Sequence, residues 1–80
     1  MLLSHERLAA LKEQRDYLEK LLEFQVRQER GFIEMFGTVG PEAKRQAEQR
    51  ADEQFKAAGL DVALNRINLE IPFLDEFLNS

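Results

Sequence analysis

Few side chains in this sequence are of the kinds that carry covalent or acid–base chemistry. Cysteine is absent, histidine occurs once as His5, and the only serines are Ser4 and Ser80. A nucleophilic hydroxyl needs a base within reach and a third group to orient that base. Neither serine has such company; Ser4 is better explained as a helix cap and Ser80 as the end of the chain. Without cysteine, zinc held by thiolates is excluded, and one histidine leaves only carboxylates as further side-chain ligands. A di-iron carboxylate bundle needs Glu-x-x-His pairs on facing helices, and the residue three before His5 is Leu2. Gly37, Thr38 and Gly40 faintly suggest a phosphate-binding turn. No lysine follows the glycines and no strand pattern precedes them, so helix termination explains them fully. The reading is therefore of a protein without catalysis, metal or cofactor.

The elements are those of a soluble helical protein. Eighty residues make one domain, with 15 acids against 11 bases and a net charge of -4. There is no basic cluster of the kind that displaces counterions from nucleic acid, so direct nucleic-acid binding is not expected. The opening MLLSHERLAALKEQRDYLEK lacks the apolar run of a secretion signal, and no stretch approaches the roughly 20 apolar residues of a membrane span. A cytoplasmic protein is expected. A domain this small seldom stabilises itself by its core alone; with disulfides and zinc excluded, oligomerisation is the remaining support.

Three helices are predicted in an all-α fold. Ser4 can cap the first, with Leu3 and Leu8 at hydrophobic-staple positions, and strong helix formers then continue to Phe36, before Gly37 suits a left-handed C-terminal position. Helix 1 thus covers about 4–36. Its apolar arc holds Leu8, Leu11, Leu18, Leu21, Leu22, Phe32, Ile33 and Phe36, widened by Tyr17, Phe24 and Met35. The opposite face is charged, with Asp16–Lys20 and Glu23–Arg27 at i,i+4 spacing. Pro41 opens helix 2, about 41–58, whose inward residues are the small Ala43, Ala47, Ala51 and Ala58 with one large residue, Phe55.

Residues 66 to 78, RINLEIPFLDEFL, fit two rulers. Ile67, Leu69, Ile71 and Phe73 alternate as in a strand, while Leu60, Leu64, Ile67, Ile71, Leu74 and Leu78 follow the 4-and-3 spacing of a heptad seam. Nothing else in the chain could pair as a strand, so helix 3, about 61–79, is preferred. Pro72 inside a helix costs about 3 kcal/mol, so a break near Pro72 is expected, with a short final helix beginning there.

Helices 2 and 3 laid end to end along helix 1 give a long antiparallel hairpin, and two hairpins face to face would form a four-helix bundle. Self-association, a dimer above all, is assigned to Leu11, Leu18, Leu22, Phe32, Leu64, Ile67 and Ile71. Gln25 and Glu29 form a polar notch in the apolar arc of helix 1, flanked by Gln14 and Gln28; Glu29 is expected to pair with Arg15 of an antiparallel copy or to remain solvated. Helix 3 carries surplus apolar residues, with Val62, Leu69 and Phe73 opposite the seam and Phe77 between, and the C-terminal 22 residues hold 4 acids and 1 base. Phe73, Leu74, Asp75, Glu76 and Phe77 are accordingly the candidate contacts for a larger protein with a basic-rimmed apolar surface. The functional expectation is a non-enzymatic adaptor, inhibitor or co-chaperone-like module that binds itself and a larger partner. A purely structural bundle subunit is the alternative, and a small-ligand carrier a distant one.

Overall fold

The computed structural model describes residues 4–79. It contains three helices, α1 (Ser4–Met35), α2 (Pro41–Ala57) and α3 (Leu60–Asn79), and no strand among the described residues. Ser4 lies at the start of α1, while the staple residue Leu3 and the terminal Ser80 fall outside the described range.

Each helix ends where the sequence supplies a reason. The last turn of α1 tightens, with the Phe36 N–H donating to the Ile33 carbonyl at 3.1 Å and the Gly37 N–H to that of Glu34 at 3.1 Å. Gly37 then takes φ +103°, a conformation costly for a residue with a Cβ. Pro41 occupies the first position of α2, where its missing N–H costs nothing. At the far end, Gly59 at φ +75° separates α2 from α3, and its N–H donates back to the Lys56 carbonyl at 3.0 Å.

Lengths fix the architecture. At 1.5 Å per residue the 32 residues of α1 span about 48 Å, and the 17 and 20 of α2 and α3 span about 26 and 30 Å. The molecule measures 54 × 21 × 15 Å, so the two shorter helices run end to end along the long one, as a single kinked return arm. The product is a long antiparallel hairpin. α2 covers the turn half of α1 and α3 covers its N-terminal half.

The core is a single seam between the two arms. Leu11 and Leu18 of α1 meet Phe55 of α2 and Ile67 and Ile71 of α3, with Leu8, Leu22, Leu60, Ala63, Leu64 and Leu74 packed at the margin. Nearer the turn, Ile33 and Val26 pack on Ala43 and Ala47. Burying three alanines completely draws the axes of α1 and α2 together but contributes little area. Phe55, 2% exposed, is the one large side chain that ties α2 to both other helices.

The helical ruler holds for RINLEIPFLDEFL, but the expected break at Pro72 does not occur. α3 is continuous from Leu60 to Asn79 with Pro72 in its interior. Two features make this possible. Pro72 and Asn68, whose carbonyl loses its donor, both lie on the exposed side, where water can serve that carbonyl. Ile67 and Ile71 before the proline and Leu74 after it are all held in the same seam, so packing carries the helix across the defect.

Candidate functional site

The residues assigned to self-association fall on two sides of the molecule. Leu11, Leu18, Ile67 and Ile71 are buried inside one chain, and Leu22 and Leu64 pack against them, while Phe32 remains about half exposed. The hairpin's own seam thus occupies six of the seven.

The polar notch is resolved within the chain as well. Glu29, with its side chain only 18% exposed, accepts a hydrogen bond from Gln54 Nε2 at 2.9 Å and lies 3.5 Å from Arg50. Its partners are therefore on α2, and Arg15 instead lies 3.2 Å from Asp16 of its own helix. Glu29 of the notch thus finds partners inside the chain, without a second copy. A carboxylate at the arc's centre is met by the long polar side chains that α2 presents between its alanines, fixing the register of α2 on α1. Gln25 fares differently: its Oε1 is buried and has no hydrogen-bond partner among the described residues.

Two flanks of the hairpin can be told apart by their ion pairs. Arg7–Glu70 at 3.3 Å and Glu29–Arg50 at 3.5 Å lie on one side of the seam. Lys12–Asp75 at 4.0 Å lies on the other. At roughly 100° per residue, Tyr17, Leu21, Phe24 and Met35 turn toward the first side. There Phe32 and Met35 line a shallow open hollow with Gln28, Glu29 and Arg50. The ring of Phe32 stacks at a tilt on that of Phe36, centroids 4.9 Å apart. On the opposite side a hollow over Val26 is lined by the charged side chains Glu23, Arg27, Arg30, Lys44 and Glu48.

The candidate partner residues separate in the same way. Phe73 is 71% exposed and Phe77 and Glu76 are also exposed, whereas Leu74 packs on the core and Asp75 is drawn toward Lys12. Leu69, 77% exposed, and Val62 lie on the edge of α3 directly away from the seam. Val62, Leu69, Phe73 and Phe77 are exposed because the seam consumes only one stripe of a helix that is apolar on two. Sequence reading located the outer stripe of α3. It treated Tyr17, Phe24 and Met35 only as the margin of the arc of α1, although their 4-and-3 spacing with Leu21, Gln14 and Gln28 marks a second stripe.

Other chemistry is sparse. Among the described residues no group of three potential metal-ligating side chains occurs, and no helix is long and apolar enough to cross a membrane. The one carboxyl pushed well down is Glu42, to about 2, because Arg45 and then Gln46 donate hydrogen bonds to it on the fully exposed first turn of α2. That is a local helix-start arrangement between side chains three and four residues apart. Comparison of the chain with protein-family models, curated proteins and solved structures yields no match.

Proposed function

We propose that this protein is a non-enzymatic interaction module that works by presenting an apolar stripe on a stiff helical hairpin to other protein surfaces. One observation carries the reading. Val62, Leu69 and Phe73 stand 58%, 77% and 71% exposed along a helix whose other stripe already fills the core. Large exposed apolar residues along one face stabilise nothing within the chain, and on soluble proteins such patches mark contact sites. Glu76, exposed at the end of the stripe, suits a partner with a basic rim, where it would govern orientation and encounter rate. A small adaptor, inhibitor or co-chaperone-like role fits a hairpin with little besides its surface to offer.

A second reading, a purely structural subunit that binds only itself, is favoured by the further stripe on α1. The two readings separate by mutation. Leu69→Glu alters an exposed edge residue and should leave helicity and Tm essentially unchanged. In the module reading it abolishes binding to a larger partner isolated from the native host. If a stably bound host protein is retained unchanged by Leu69→Glu and by Phe73→Glu alike, the outer stripe of α3 is not the contact surface.

A further inference from the structure

We infer that the stripe of α1 is covered by a second copy of this chain, packed on it in antiparallel orientation about a two-fold axis near Leu21. This rests on reading the chain as an interaction module and names the occupant of one of its two stripes. The stripe comprises Ala10, Gln14, Tyr17, Leu21, Phe24, Gln28, Gly31 and Met35, at strict 4-and-3 spacing over the length of the helix. Such spacing matches a long straight helix lying alongside at a shallow angle. α1 is such a helix.

Area supports a stable pair. Tyr17, Phe24, Phe32 and Met35 are 67%, 47%, 52% and 82% exposed on this side. With roughly 200 Å² for a fully exposed large side chain, these four alone offer roughly 500 Å². A standard stable interface buries about 800 Å² per partner, polar atoms included. The apolar part of a dimer interface is therefore already present.

Gly31 points the same way. A glycine inside a helix costs about 1 kcal/mol relative to alanine, and here it has an ordinary negative φ and nothing within 4 Å of where a Cβ would stand. The hairpin itself has no need of it. A neighbouring helix approaching the stripe closely would.

Charge selects the orientation. Residues 4–24 and 59–79, which form the open end of the hairpin, hold 9 acids and 5 bases, a net of -4. Residues 25–58, at the turn end, hold 6 of each and are neutral. A parallel pair sets the two negative ends side by side, whereas an antiparallel pair sets each against a neutral turn end. Like-charge juxtaposition is unfavourable at these short ranges. The antiparallel pair also lays the acidic α3 of one copy along the half containing Arg50, Phe32 and Phe36 of the other.

The test exploits the absence of cysteine, since V39C carries a single label at the exposed turn. Light scattering of the unlabelled chain at tens of micromolar should give a dimer. Spin labels at position 39 should then lie close to the 54 Å long axis apart, against about 20–30 Å, two to three helix diameters, for a parallel pair. The double variant Tyr17→Glu/Phe24→Glu should raise the dimer Kd at least tenfold while circular dichroism is retained. A monomeric wild type, the shorter label distance, or a folded double variant that still dimerises with wild-type affinity each overturns the inference. Leu69→Glu, on the edge away from this stripe, should leave the dimer intact. The dimer and partner binding through α3 are therefore tested by separate variants, and either can fail without the other.

Discussion

Pro72 offers the sharpest test of how packing and local propensity trade against each other. In the interior of α3 it deletes one backbone hydrogen bond and crowds the Asn68 carbonyl, a defect of about 3 kcal/mol. Pro72→Ala restores the bond and loses no buried contact, because the proline is exposed. Against that gain stands the restriction a proline places on the unfolded chain, worth about 1 kcal/mol. The net expectation is a stabilisation of about 2 kcal/mol. On a domain of this size that corresponds to roughly 8–16 °C in Tm. Urea unfolding followed by circular dichroism, at one fixed protein concentration, should show a higher midpoint at unchanged slope. If Pro72 instead opens a separate helix, it occupies a favourable first-turn position, and alanine there would leave stability unchanged or lower it. Such a result would refute the continuous α3 and with it the claim that seam packing carries the helix across the defect.

Phe55→Ala should cost about 3–5 kcal/mol, most of the stability of an 80-residue domain, and chemical denaturation should show the cooperative transition nearly lost, because Phe55 alone joins α2 to both arms of the core. Gln25→Leu removes a buried oxygen that has no partner among the described residues and should raise stability by about 1 kcal/mol or more; a fall in Tm would mean that the amide is satisfied in solution. The Glu42 carboxyl, held down to about 2 by Arg45 and Gln46, has a folded pKa below its ordinary value. Its contribution is present above about pH 4.5 and fades as pH falls toward 2; NMR titration should show the low value in wild type and its return toward the ordinary carboxylate range in Arg45→Ala, with high salt weakening this exposed contact. Gly31→Ala should stabilise the isolated hairpin by about 1 kcal/mol, while any close approach of a second chain at that position would show as weaker dimerisation in light scattering.

The fold was legible because its signals are redundant. Glycines at 37, 40 and 59, with Pro41, punctuate the chain where the helices end, and the alanine spacing of α2 against the heptad of α3 already divides the return arm into a thin half and a thick half. What could not be read was which stripe the chain would use on itself. Leu11, Leu18, Ile67 and Ile71 form the best seam on either arm, and a pattern good enough for a dimer interface is equally good for a hairpin core. A wheel has no means of telling an intramolecular neighbour from an identical chain. The partners of Glu29 within the chain were hidden for the same reason: Arg50 and Gln54 come within reach only once α2 is laid against α1 in register.

The division of labour between the two halves of the return arm bears directly on where function can reside. α2 holds its place with alanines and with Glu29's contacts, leaving an outward face of charged and amide side chains that has nothing further to bury. α3 anchors the opposite half with isoleucine and leucine and still carries Val62, Leu69 and Phe73 outside. Its inner stripe makes the outer one rigid, because a helix pinned by a full heptad seam cannot rotate to hide exposed side chains. Rigidity of this kind lowers the ordering cost that a flexible apolar segment would incur on binding. The hairpin is thus a way to hold, in fixed geometry, apolar surface that an unsupported 20-residue peptide would fold away or lose to aggregation.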